Sequence, residues 1–254
     1  MSKLLLIFFF VLGTILGSFY HLVGIRRGQG KSIIKPASHC SSCNNRLKWY
    51  DLIPVISYLL NKGKCRYCHT KINFSYFLTE LITGVLFAVA YHVFGLNVEL
   101  IIKLIFISCL IIIIVSDIEY MIIPDEILIT GCIVIVLINL IFNGLDETYA
   151  CLLSAIFSFV VMLGLKMFGD FVFKKESLGG GDIKLMFLFG LVLNFDTAIL
   201  SIFLATFIAF PIAIIELVRK KNNIIPFGPF LSVASIILAV TDINFNTVFN
   251  YLLK

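Results

Sequence analysis

Charge is scarce in this chain. Asp, Glu, Lys and Arg make up 14% of its 254 residues, against 60% hydrophobic residues. Soluble domains carry about 25% charged residues, and disordered chains are poorer in apolar ones, so both classes are excluded. Other absences narrow the field further. The glycine run at 179–181 is followed by no GKS or GKT at phosphate-loop spacing, which excludes a nucleotide-cradling loop. No internal repeat with paired broken helices is visible, as a secondary transporter would be expected to show. The first apolar run starts beside Lys3 and continues through GTILGSFYHLVGIRR without a small-residue cleavage site, so it reads as a retained anchor rather than a removed signal. The net charge of +5 does not point to nucleic acid, because the cations are confined to loops between apolar runs.

What is present is a series of apolar stretches at about 4–24, 75–95, 99–117, 126–142, 148–169, 182–195, 197–218 and 225–240. In a bilayer every backbone N–H and C=O must be satisfied internally, so such stretches form helices. The expected fold is therefore all-α and polytopic, with about eight transmembrane helices and membrane lipid as its surroundings. Three parts are expected: a first helix over 1–25, a loop domain over 26–73, and a multi-helix membrane domain over 74–254. The loop holds ten of the twenty Lys and Arg residues. If it is cytoplasmic, eight alternating spans also place Lys174, Lys175, Lys184, Arg219, Lys220 and Lys221 on the cytoplasmic side, for sixteen of twenty. The opposite side then carries Glu99, Asp146, Glu147, Asp196 and Asp242, with both termini.

Within the loop, Cys40-Ser-Ser-Cys43 and Cys65-Arg-Tyr-Cys68 form two CxxC knuckles separated by 21 residues. Four thiolates so spaced suit tetrahedral structural zinc, and a loop this short has too little core to fold without such a staple. A reducing cytoplasm disfavours two disulfides there. His39 and His69 flank the knuckles and are expected to be bystanders. Cys109, Cys132 and Cys151 fall within apolar spans and read as small core residues.

Two carboxylates stand where a membrane chain should least tolerate them. Asp117 ends the run LIIIIVS, and Asp182 lies in LGGGDIKL. An Asp at the centre of a spanning helix costs about 2.5 to 3.5 kcal/mol on insertion scales, so such residues face protein or water and usually serve function. The topology puts both at the cytoplasmic ends of their spans, where they can meet. Two carboxylates sharing one proton supply the base that activates a water and the acid that protonates a leaving amine. Asp125, after Pro124 at the start of the next span, has a sufficient structural role as a helix-dipole partner and cap. Gly179 and Gly181 allow close backbone approach beside Asp182, and Lys184 is placed to pair with Asp182 or to reach the interface.

The GGGDIK string, the DIEYMIIPD segment, the paired CxxC loop with WYDLIPVISYLLNKGKCRYC, and PFGPFLS at 226–232 together resemble the prepilin peptidases, or type IV leader peptidases. The resemblance runs from about Leu16 to Ser232. It implies a membrane aspartic endopeptidase of the GxGD type in the bacterial cytoplasmic membrane. Such an enzyme removes the short basic leader of type IV pilin-like precursors, with catalytic aspartates falling on Asp117 and Asp182. Some members also methylate the new N-terminus from S-adenosylmethionine, but no glycine-rich fingerprint for that cofactor is found here. Glu80 matches a family Glu whose role is either to orient the loop or to bind substrate. Asp51, Glu119, Asp125 and Glu126 are candidate contacts for the basic leader. The chain departs from the family pattern at His21, where GSFxN is common, and at Ser41 and Ser42, where the first knuckle commonly holds Pro.

Orientation is directly testable. Cysteine introduced at Lys31 or Lys62 should resist membrane-impermeant thiol reagents in intact cells relative to the unaltered chain, whereas cysteine at Glu147 should react. The reverse labelling pattern would put the basic loop outside.

Overall fold

The computed structural model describes residues 2–218 and 226–241. Arg219, Lys220, Lys221 and Asp242, used above to orient the chain, lie outside them. Eight α-helices follow in chain order: α1 (Lys3–Gly28), α2 (Ile56–Leu60), α3 (Phe74–Phe94), α4 (Val98–Tyr120), α5 (Asp125–Phe142), α6 (Gly144–Phe173), α7 (Gly180–Val218) and α8 (Gly228–Thr241). Among the described residues there is no strand, only two isolated bridges in the loop. The expected all-α membrane fold is observed, with six helices among the described residues long and apolar enough to cross a bilayer and α8 as a shorter apolar helix.

The count of eight crossings depends on α7. A straight helix of 39 residues would be about 58 Å long at 1.5 Å per residue. Asn194 interrupts it with φ 64° and ψ 164°, outside helical geometry. Asp182, near the start of α7, lies close to Gly228 at the start of α8. The ten residues from Val218 to Gly228 reach at most about 36 Å, so the chain must turn back at Asn194 for Gly228 to stand there. The two arms of α7 then correspond to the expected stretches 182–195 and 197–218. The broken turn frees the carbonyl of Val192, and buried Lys103 of α4 donates to it at 3.4 Å. A cation there meets the negative end of the first arm's dipole.

α4 is the central post, touching α1, α3, α5, α7 and α8. Its buried Phe106 packs edge-on against Phe189 of α7, with ring centroids 5.8 Å apart. α1 lies against α3 through small residues, as membrane helices do when lipid provides no hydrophobic drive between them. A Cβ on Gly13 would stand 2.7 Å from the Thr83 carbonyl oxygen, and one on Gly84 would stand 2.6 Å from Thr14 Cγ2. This close seam holds the two ends of the Cys loop together, because that loop leaves α1 and re-enters at α3. Gly84→Leu should force α1 and α3 apart and cost about 1 to 3 kcal/mol, seen as a lower unfolding midpoint in detergent. An unchanged midpoint would mean the seam contributes little.

Candidate functional site

Three chain segments converge at one end of the bundle. α4 ends there with Met121 in the left-handed region (φ 56°), turning the chain through Ile122-Ile123-Pro124 into α5. α7 starts there, its first turn set by the Asp182 N–H donating to the Gly179 carbonyl at 3.2 Å. α8 starts there at Gly228. Asp117 and Asp182 are both buried, 5% and 6% exposed. A Cβ on Gly228 would overlap Asp117 Oδ2 and stand 3.2 Å from Asp182 Oδ1. Both carboxylates therefore close on a single point, and glycine is there because no side chain fits.

Ile123 sets the neighbouring spacing. A Cβ on Gly181 would meet Ile123 Cδ1 at 2.8 Å, and one on Gly228 would meet the same atom at 3.3 Å. The glycine run thus admits Ile123 on one side, while a Cβ on Gly179 would stand 3.3 Å from Asp182 Oδ2. Lys184 pairs neither with Asp182 nor with the interface alone. Its Nζ donates to both oxygens of Asp125 at 2.7 and 2.8 Å, tying the first turn of α7 to the first turn of α5. Asp125 makes no side-chain cap, so the capping role expected for it is replaced by this ion pair. Both partners are about half exposed, which limits the pair to under about 1 kcal/mol.

Of the acidic residues expected to meet a basic leader, three are otherwise engaged. Asp51 is inside the loop, accepting from the Lys48 N–H at 3.2 Å and the Tyr67 hydroxyl at 3.0 Å, with Arg66 beside it. Glu126 pairs with Arg27 at 3.0 Å, and Asp125 with Lys184. Among the described residues Glu119 forms no ion pair.

The loop is built on two matching knuckles. The Cys40 and Cys65 N–H groups donate to the carbonyls of Asn45 and Thr70, and the Asn44 and His69 N–H groups return to Cys40 and Cys65. Asn44 and His69 occupy the same left-handed corner, so His69 serves through its backbone. All four Sγ atoms lie within 4.8 Å of one another, with Cys40 and Cys68 at 3.8 Å. That is too long for the roughly 2.05 Å of a disulfide. It fits the sulfur-to-sulfur edge of about 3.8 Å in a tetrahedron with metal–sulfur bonds of about 2.3 Å. The Thr70 hydroxyl and amide hold the Cys68 thiol down to about 6. The Asn45 amide favours the Cys43 thiolate, but desolvation and the neighbouring sulfurs outweigh it and push that thiol up to about 11. Four such sulfurs cannot all ionise together without a cation, and the cluster can hold a metal ion.

Glu80 joins the loop to the bundle. It is buried in α3, bonded to Ser18 and accepting the Val55 N–H at 2.6 Å. Val55 is a β-branched residue at φ 62°, a strained conformation that persists only when its surroundings hold it. Glu80 thereby makes a direct contact between α3 and the loop. Gly228 was not singled out from the sequence as a site residue. Its only signal was its place between Phe227 and Pro229 in PFGPFLS.

These features define a multi-pass membrane protein with a buried aspartate pair and a four-cysteine loop. Residues 11–94 match the Bacterial Peptidase A24 N-terminal domain, and residues 104–214 match the Type IV leader peptidase family. The chain is 37% identical over 231 residues to a prepilin leader peptidase/N-methyltransferase of Bacillus subtilis (strain 168), covering 90% of this chain and 91% of that protein. A protein of the same description from Myxococcus xanthus (strain DK1622) is 34% identical over 194 residues, 76% of this chain and 57% of that one. Another, from Vibrio cholerae, is 28% identical over 252 residues, covering 94% and 97%. No solved structure gives a significant match. The chain belongs to the type IV leader peptidase family.

Two outcomes follow from this geometry. Gly228→Ala should cost at least about a hundredfold in kcat, because the methyl must displace Asp117; near-normal turnover would show that the carboxylates meet elsewhere. Metal analysis should give about one divalent ion per chain, and Cys65→Ser should lower both metal content and the protease resistance of the loop.

Proposed function

We propose that this chain is the endopeptidase that removes the leader from type IV pilin-like precursors, with Asp117 and Asp182 as its catalytic pair. The observation that carries the assignment is the convergence of both carboxylates on Gly228, at the end of the bundle that also bears the basic loop. Like charges so close in a poorly solvated site do not both ionise, so the pair holds one proton between them. The ionised carboxylate takes a proton from a water as that water's oxygen attacks the scissile carbonyl carbon. The protonated partner donates to the carbonyl oxygen. Collapse of the tetrahedral adduct then breaks the C–N bond: the leaving nitrogen takes the proton that came from the water, the other carboxylate takes one back from an adduct hydroxyl, and the pair again holds one proton. Which aspartate starts with the proton is a property of the pair.

The names of the relatives and the charge distribution support placing the enzyme in the bacterial inner membrane with this end in the cytoplasm. The metal we assign to Cys40, Cys43, Cys65 and Cys68 is zinc, held as a fold-supplying ion in the domain over 26–73. Its role is to brace a loop that Glu80 then fixes to the membrane domain.

A second activity, methylation of the new N-terminus from S-adenosylmethionine, is favoured by the N-methyltransferase in the relatives' names. The glycine run offers it no cradle, since Ile123 and the Asp182 carboxylate fill the space around Gly179 and Gly181. Mass analysis of a precursor matured with added S-adenosylmethionine should show one extra methyl on its first residue. An unmodified amine after complete cleavage would leave the chain a peptidase only.

The aspartate pair has its own test. Asp117→Asn and Asp182→Asn should each abolish leader removal while insertion and metal content stay normal, since an amide keeps the volume but can neither accept nor share the proton. Asp125→Asn should weaken activity only severalfold, in keeping with an exposed ion pair. Cleavage by all three variants would rule out an aspartic protease.

A further inference from the structure

An elongated cavity of about 340 Å³ runs between α3 and α8 with α4 as its floor. Ile111, Ile114 and Val115 form the floor, and Ile82 and Ile237 stand on opposite walls. Its other character is confined to one end, where His21, Ser75, Thr79 and Glu119 gather. The Thr79 hydroxyl donates its one hydrogen to the Ser75 carbonyl at 2.8 Å, so at 3.0 Å it accepts from His21 Nδ1–H. That leaves His21 Nε2 a bare acceptor, buried and without a partner. At the same end Glu119 adds a carboxylate that forms no ion pair among the described residues.

The groove is in register with the aspartate pair. Glu119 follows Asp117 by two residues, about 3 Å along the axis of α4, so the polar end of the groove and Asp117 share one depth. α8 links them laterally: its first residue, Gly228, lies against both aspartates, and its later residues wall the groove. On α3 the lining runs from Ser75 to Leu86, about 16 Å, or three turns of a helix.

We propose that this groove receives one face of an apolar helix that follows the leader in the precursor, its N-terminal end at Glu119. The inference rests on the peptidase reading above and adds where the substrate lies. The charges are complementary. A helix N-terminus presents unpaired N–H groups and a partial positive charge, and the leader preceding it is basic; Glu119 and the His21 acceptor match both. The apolar walls match the rest of the helix. The depth register then brings the junction between helix and leader to the level of the carboxylates. A surface facing only lipid tails needs neither a carboxylate nor an unpartnered nitrogen at its end.

The test uses the full chain in membrane vesicles. A benzophenone side chain is placed at Ile82 or Ile237, each 41% exposed, in the Asp182→Asn background so that precursor is held uncleaved. Ile133 and Val160, on α5 and α6, serve as lipid-facing controls. Illumination should give precursor adducts at Ile82 and Ile237, mapped to the apolar segment, and none at the controls. In the otherwise unaltered enzyme, Ile82→Trp should raise KM for the full precursor by about tenfold while kcat changes less than about twofold. Glu119→Lys should raise KM as well, with the effect shrinking at high salt. Adducts to lipid alone at Ile82 and Ile237, in vesicles where the unaltered enzyme cleaves, would overturn the groove and leave the peptidase standing. An unaltered enzyme that cleaves no precursor would remove both.

Discussion

Burying two carboxylates against a single point at one end of a membrane bundle is the constraint around which this structure is arranged. Among the described residues neither aspartate forms an ion pair; the nearest basic side chain in sequence, Lys184, is committed to Asp125. The cost of burial is met by rigid surroundings. α4 is packed on five helices, α7 is tied to α5 at its first turn, and α8 begins on the one residue type that leaves room between the oxygens. Each element that reaches this end of the bundle does so from a different part of the chain, so the site exists only when the membrane domain is assembled.

The four-cysteine loop and the membrane domain are two solutions to a shortage of core. The loop from 26 to 73 has few buried residues, Cys65 among them, and relies on four sulfurs. The membrane domain relies on helix contacts made close by small residues. Glu80 is where the two systems meet, because a buried carboxylate in α3 accepts the N–H of a strained residue in the loop.

Much of this was legible from residue order alone. Hydrophobic runs located the spans because a bilayer leaves the backbone no alternative to helix, and the odd cost of Asp117 and Asp182 marked them before any geometry was known. The CxxC spacing marked the sulfur cluster for a similar reason, since only four soft ligands at that interval make a closed tetrahedron. What escaped depended on contacts between distant segments. The Lys184–Asp125 pair joins residues 59 apart in the chain, and nothing in either local motif announces the other. Asp51 was a candidate contact for the basic leader and is instead engaged inside the loop, by Lys48 shortly before it and by Arg66 and Tyr67 between the cysteines of the second knuckle. The space at Gly228 was invisible for the plainest reason: a glycine's role here is the absence of an atom. The seam of Gly13, Gly17 and Gly84 had a readable small-residue spacing that passed unused.

Ile123 has a consequence for how such a pair can be tuned. It fills the corner between Gly181 and Gly228, and so gauges the gap between the helix start that carries Asp182 and the one that touches both aspartates. A spacer made of hydrocarbon has no charge to gain or lose. The width it sets is therefore indifferent to pH and to salt, whatever protons the carboxylates beside it hold. Adjusting such a site means changing the length of an aliphatic side chain at a bend, away from the charged groups themselves.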